Sequence, residues 1–320
     1  MMGEVHARTL HDSVRDVAVT CVHDADVSRA GEVAASIGAR VSTTPEELVG
    51  EVDAVVIASP DGAHATQAVL ALAHGCFVMC EKPLATTAAE ALAVVDAELA
   101  IGQRRLQVGL MREFDPGHAA IAAAVRSGEL GDTVVTRSTH LNPRPWLYPM
   151  PAERAITQSM IHDIHSVRFL SGAEVLDVDV DTVVEPANGS VRYVSARLRM
   201  SDGSIGIIDL SVGTGYGYRV DAEVVGTIAT MATTDPASTT LWREGRAEQV
   251  VPDNWPERFA TTYRDELVAW IDSLRNGVSV GATAWDGYVA NLVAEACVAS
   301  AETRRRVEVS IPERPSFYDR

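Results

Sequence analysis

The chain has 320 residues, 47% hydrophobic and 22% charged, which is enough apolar material for two domains and rules out the disordered class. Its 27 basic and 44 acidic side chains leave a net charge of −17. That argues against nucleic-acid and anionic-membrane partners, because both require a cationic footprint. Cys21, Cys76, Cys80 and Cys297 are scattered, without metal-site spacing or the density of a disulfide-stapled protein, and fit a reducing, cytoplasmic setting. The first ten residues carry Glu4, His6 and Arg8 and no apolar stretch, so no signal peptide is expected. No apolar run reaches the ~18 residues that a membrane span needs.

The first half repeats one unit. A β-rich run, Asp16 to Val22, leads to Asp24 and Asp26, then an Ala-rich helix from Val27 to Ile37 that Gly38 stops. Asp53 to Ala58 is an apolar strand ending at Ser59-Pro60, followed by a helix from about Ala63 to Ala73. Phe77 to Met79 is a strand ending at Glu81-Lys82-Pro83. A helix capped by Thr86 or Thr87 then runs toward Ile101, and Leu106 to Leu110 is one more strand. Short strands without polar alternation, separated by helices, predict a parallel sheet covered on both faces.

The second half reads differently. Helices are expected near Pro116–Arg126 and Met160–Leu170, each closed by Ser-Gly. Val175–Val184, Val191–Met200, Gly206–Val212 and Tyr218–Val225 are strands, linked in part by the turn signals Asn188-Gly189 and Ser201-Asp202-Gly203. Two helices, about Thr261–Leu274 and Trp285–Ala301, follow. The fold class is therefore α/β: a Rossmann-like parallel sheet, then an α+β domain with a large open, mainly antiparallel sheet. The boundary is expected near residues 111–116, giving a nucleotide domain over 1–114 and a substrate and oligomerisation domain over 115–320.

In an open parallel sheet, ligands sit outside the carboxyl ends of the strands. The acid after the second strand normally holds a ribose diol, and Asp24 stands there; the alternative is a solvent-exposed acid. An acid at that point favours NAD over NADP, whose 2′-phosphate it would repel. The glycine-rich phosphate turn does not precede it. The chain starts Met1-Met2-Gly3-Glu4, and Gly3 fits only the last glycine of a Gly-x-Gly-x-x-Gly run. The first strand is therefore expected to be missing from the sheet. Dinucleotide binding is expected to be weaker than in a chain extended upstream.

The segment Gly3 to Leu10, the run Asp53–Pro60 followed by His64, and above all Cys80-Glu81-Lys82-Pro83-Leu84 resemble the glucose–fructose oxidoreductase, inositol dehydrogenase and MocA family. The likeness continues through Met111-Arg112-Glu113-Phe114-Asp115-Pro116, Ile161-His162-Asp163-Ile164-His165, Tyr216-Gly217-Tyr218 and Ala284-Trp285-Asp286-Gly287-Tyr288. It is closest to the bacterial inositol 2-dehydrogenase branch. The resemblance implies NAD(P)-dependent oxidation of a polyol or sugar hydroxyl, and an open sheet that assembles a homodimer or homotetramer. It places the catalytic residues at Lys82 and His162. Gly3, Ser59, Pro60, His64, Glu81 and Lys82 fall on its cofactor side, with Asp24, and Arg112 on its substrate side. Pro83 commonly follows a cis bond in relatives.

The chemistry asks for such residues independently. Alcohol oxidation needs a hydride acceptor and loss of the hydroxyl proton, which a histidine can take near neutrality. A lysine beside the same oxygen stabilises the developing alkoxide. The plainer alternatives are a surface lysine and a core or capping histidine.

The sequence also departs from its relatives. Inositol-oxidising members carry aspartates four residues before and three after the histidine, where this chain has Gln158 and His165. On an α-helix Gln158, His162 and His165 share one side. Losing two carboxylates there predicts a substrate other than a plain polyol, such as one bearing its own carboxylate. A metal site at these three residues is a weak pattern, and no metal is expected. Trp146, with Tyr148, sits in a Pro-rich stretch that either stacks on a sugar-like ring or pins its own loop. The leading reading is an NAD-dependent dehydrogenase acting on a secondary hydroxyl of a cyclic polyol, sugar or sugar acid. The alternative is a non-catalytic relative that keeps the fold for assembly.

Overall fold

A computed structural model describes residues 2–143, 149–234 and 240–319. The chain forms two compact units, the first drawn from Met1–Met111, Thr261–Asn291 and Glu313–Arg320, the second from Arg112–Ala260 and Leu292–Pro312. The single cut at 114/115 expected from sequence is thus set beside units built from three and two segments.

The first described element of the first unit is a helix, α1 (Met2–Ser13). There follow β1 (Cys21–Val22), α2 (Val27–Ile37), β2 (Arg40–Val41), α3 (Pro45–Val49), β3 (Ala54–Ile57), α4 (Asp61–Ala73), β4 (Phe77–Glu81), α5 (Ala88–Ile101) and β5 (Leu106–Gly109). The ladders between these strands are parallel. They fall into two groups, β1-β2 and β3-β4-β5, with no ladder joining them among the described residues. α1 buries His6 and Leu10, and Leu10 and Val14 pack with Met79, Leu267, Trp270 and Ile271. Spacings of four place these side chains along one helix stripe. Asp26 caps α2 and Gly38 ends it in the left-handed region. Thr87 and Glu90 form a capping box at the start of α5, which settles the choice between Thr86 and Thr87.

The second unit begins in a short 3-10 turn, Met111–Phe114, and α6 (Pro116–Arg126), capped by Asp115. β6 (Thr133–Pro143), α7 (Ala152–Arg154), a π-helical stretch Ala155–Met160 and α8 (Ile161–Ser171) come next. Then come β7 (Val175–Val184), β8 (Val191–Met200), β9 (Ile205–Thr214), β10 (Arg219–Gly226), β11 (Thr230–Ala232), β12 (Thr240–Arg243) and β13 (Arg246–Gln249). Two long helices, α9 (Trp255–Asn276) and α10 (Ala284–Thr303), precede β14 (Val307–Glu308). The large sheet runs β11-β10-β6-β9-β8-β7-β14 and is antiparallel throughout except between β6 and β9.

One face of this sheet is core. Val178, Val180, Val194, Ala196, Leu198, Ile208, Leu210, Val220 and Val224 are buried. α8 crosses it closely: a Cβ on Gly206 would lie 2.8 Å from a Val167 methyl, so that position admits only glycine without a shift. The other face carries Arg137, Asp179, Asp181, Arg197 and Arg199, with Tyr193, Ile205 and Ile207 half-buried among them.

Candidate active site

In the first unit, three strand ends carry the predicted cofactor-side residues. After β1, the Asp24 carboxylate is gripped by Arg29, whose Nη2 and Nε lie 2.7 and 2.8 Å from its two oxygens. The Asp26 amide adds a third bond at 2.8 Å. The Arg29 hydrogen bonds, aided by that amide, outweigh burial and hold Asp24 below its ordinary value, so it stays ionised. Sequence spacing showed the acid but not the arginine that faces it.

After β3, Ser59 Oγ donates to Gln67 Oε1 at 2.7 Å. His64 is buried on α4, its ring nitrogens 2.8 Å from the Ser59 carbonyl and 2.7 Å from the Pro83 carbonyl. It therefore ties the end of β3 to the Glu-Lys-Pro turn that follows β4. Pro60 stands at the N-cap of α4 and supplies no side-chain cap. Gly3 lies in the first turn of α1, where a Cβ would meet the Ala58 side chain at 3.6 Å.

After β4, Glu81 is buried and its Oε1 lies 2.7 Å from His6 Nε2, while Oε2 accepts the Lys82 amide at 3.2 Å. Burial pushes the carboxyl up, but the His6 hydrogen bond and the nearby His6 and Lys82 charges prevail and hold it below its ordinary value. The Lys82-Pro83 bond is cis. These groups fit a dinucleotide: an ionised acid after β1 suits a ribose diol.

In the second unit, His162 sits in the first turn of α8 and is 8% exposed. His165 lies on the same side of the helix three residues on. Gln158 falls in the π-helical stretch just before, where the α-helical spacing that predicted a common face does not run unbroken. Its Oε1 accepts from Arg154 Nε at 3.0 Å.

The residue that sequence reading passed over is Glu113. Its Oε1 lies 2.9 Å from His165 Nε2, both side chains are buried, and the His165 ring stacks on Phe169. The resemblance implies the loss of two carboxylates near His162; Glu113, from the 3-10 turn, places one beside His165. The only signal for it was its place beside Arg112 in the family-like Met111–Pro116 run.

Arg112 itself is fully buried and committed to Asp163, 2.5 Å from Oδ1. Asp163 also accepts from Ser138 Oγ at 2.8 Å and from His140 Nδ1 at 2.9 Å, and Tyr218 Oη lies 3.1 Å from His140 Nε2. Burial pushes the Asp163 carboxyl up, yet the Arg112 charge and the hydrogen bonds from His140 and Arg112 overcome it and hold it well below the carboxylate range. Burial pushes His140 down, so the neutral ring donates from Nδ1 to Asp163 and accepts from the Tyr218 hydroxyl at Nε2. This network ties β6, α8 and Tyr218, the residue before β10, together. Trp146 and Tyr148 belong to residues 144–148, outside the described residues.

Residues 1–110 match a model described as an oxidoreductase family with an NAD-binding Rossmann fold, and residues 118–232 match the C-terminal domain of the same family. The chain is 38% identical over 326 residues to inositol 2-dehydrogenase 1 of Saccharopolyspora erythraea, covering 99% of this chain and 96% of that protein. It is 37% identical to the inositol 2-dehydrogenase of Rubrobacter xylanophilus, covering 100% of this chain and 93% of that one. Among solved structures, the myo-inositol dehydrogenase of Lactobacillus casei in complex with NAD(H) and myo-inositol superposes with a TM-score of 0.95 at 29% identity, covering 100% of this chain and 97% of that one. None of these relatives supports a non-catalytic role.

Proposed function

The chain belongs to the glucose–fructose oxidoreductase, inositol dehydrogenase and MocA family of NAD-binding oxidoreductases, and on that premise we propose that it oxidises a secondary hydroxyl of a cyclic polyol of the inositol class. The observation that carries this reading is the joint occurrence of Lys82, in a Glu-Lys-Pro turn pinned by His6, and His162 on the buried face of α8. Bound NAD supplies the hydride acceptor.

The chain's own residues do the rest. His162 takes the hydroxyl proton as the carbinol C–H bonding pair departs and the C–O bond becomes a carbonyl. The Lys82 ammonium stabilises the negative charge that develops on the oxygen before the carbonyl forms. Gln158 and His165 hold the remaining hydroxyls. Asp24 receives the adenosine ribose, and residues 1–114 bind the cofactor while 115–320 bind the substrate.

A neutral polyol is favoured over a sugar acid because the Glu113 carboxylate stands beside His165 and would repel a second carboxylate. The free thiols of Cys21, Cys76, Cys80 and Cys297, three of them buried, support a reducing cytoplasmic location. No helix among the described residues is long and apolar enough to cross a membrane. The half-buried Tyr193, Ile205 and Ile207 on the outer sheet face support a dimer or tetramer formed sheet to sheet, which light scattering at micromolar concentration checks. A monomer would exclude that assembly.

The reaction itself is tested by incubating the protein with NAD and myo-inositol or scyllo-inositol. Equal amounts of NADH and ketone are expected. NADH formation with neither inositol nor any other cyclic polyol overturns the reading.

A further inference from the structure

We propose that Glu113 fixes the tautomer of His165, and that this makes His165 Nδ1 the acceptor for one ring hydroxyl of a neutral polyol, distinct from the hydroxyl being oxidised. The proposal rests on the polyol reading above and deepens it. It assigns a positioning role to Glu113 and a specificity role to His165.

An ionised carboxylate only accepts, so the 2.9 Å contact between Glu113 Oε1 and His165 Nε2 requires the proton on Nε2. In the neutral ring the lone pair then falls on Nδ1. That atom is buried and has no hydrogen-bond partner among the described residues, although His165 as a whole is only 2% exposed. Buried polar atoms are normally paired, and an orphan calls for an explanation. His165 projects from the same side of α8 as His162, three residues away, so a ligand whose proton His162 takes brings its neighbouring hydroxyls to this part of the helix.

The ring is not free to turn away from that task. Glu113 holds one edge, and Phe169 lies nearly parallel to it, with ring centroids 6.2 Å apart and an interplanar angle of 18°. An acceptor held this way selects for a hydroxyl and against groups that only accept. A substrate carboxylate offers no proton to Nδ1 and meets the Glu113 charge beyond it. The pair therefore explains how a helix face with histidine in place of an acid still takes an uncharged polyol: the acceptor is a nitrogen, and its direction is set from a different segment of the chain.

The test is a steady-state comparison of wild type, Glu113→Ala, Glu113→Gln and His165→Phe on myo-inositol and on deoxyinositols lacking one hydroxyl each, with thermal melts to confirm folding. One deoxy position should lower wild-type kcat/KM by at least about tenfold, because a site built to bond a hydroxyl rejects the analogue that lacks it. In Glu113→Ala and His165→Phe, KM for myo-inositol should rise by a similar factor with kcat nearly unchanged, and the penalty at that position should vanish. Glu113→Gln, whose side-chain oxygen still accepts from Nε2–H, should keep the wild-type pattern. Three results overturn the proposal while leaving the polyol reading intact: deoxy penalties identical in all four proteins, a uniform loss of kcat on every analogue, or Glu113→Gln behaving as Glu113→Ala. Failure of the wild type to oxidise any polyol overturns the polyol reading and this proposal together.

Discussion

His6 Nε2 lies 2.7 Å from Glu81 Oε1, joining α1 to the turn that presents Lys82 across 75 residues of sequence. The other Glu81 oxygen accepts the Lys82 amide, and a Cβ on Gly109 would stand 3.1 Å from that same carboxylate. The acid is thus held from both sides, with glycine on the neighbouring strand leaving it room. Breaking a buried pair strands the remaining charge and typically costs about 3–5 kcal/mol. His6→Ala should lose stability on that scale by urea denaturation. His6→Gln, which keeps a donor, should lose clearly less. Equal stability of wild type and His6→Ala would show that the pair does not hold the turn.

The Asp163 network makes a prediction about pH. Asp163 is held well below its ordinary value in the folded chain, so its contribution is complete above the unfolded carboxyl range, near about 4. It is lost progressively as pH falls from there toward the lower folded value. Asp163→Asn leaves Arg112 buried without a counter-charge and should cost about 3–5 kcal/mol at neutral pH. The gap between wild type and variant should narrow below about pH 4. A gap that widens on acidification would contradict the assignment.

Asp24 and Arg29 bear on cofactor choice. While Asp24 occupies the Arg29 guanidinium with both oxygens, that arginine is not available to a 2′-phosphate. Asp24→Ala should therefore narrow the preference for NADH over NADPH in fluorescence titration, by roughly tenfold if one charge-assisted bond of about 1.4 kcal/mol or more is gained. Arg29→Ala in the same background should remove the gain. An unchanged preference in Asp24→Ala would place the ribose elsewhere.

Much of this fold was legible because its signals are local. Asp115-Pro116 and Ser127-Gly128 bracket α6 to the residue, and the Asn188-Gly189 turn separates β7 and β8 at their observed ends. β6 was not predicted, and the reason is physical. Its core-facing residues are Thr136, Ser138 and His140, so the strand that lies between β10 and β9 shows no apolar alternation. Ser138 and His140 are buried with Arg112 and Asp163 to answer them, which no spacing rule reveals. The site followed the same division. Lys82 and His162 are proposed from motif and resemblance, whereas Arg29 opposite Asp24 and Glu113 opposite His165 are pairings that only the folded chain brings together. The π-helical stretch at Ala155–Met160 likewise breaks the simple spacing that linked Gln158 to His162.

The central claim, that Lys82 and His162 carry out oxidation of an inositol-class polyol, is tested most directly by initial rates of NADH formation from myo-inositol for wild type, Lys82→Ala and His162→Ala, each shown to be folded and to bind NAD. Removing a positioned general base or its electrostatic partner typically costs about 10²–10⁴ in rate. The account predicts turnover by wild type and a fall of that size in kcat for each variant, with NAD affinity retained. Undiminished turnover in either variant would contradict it.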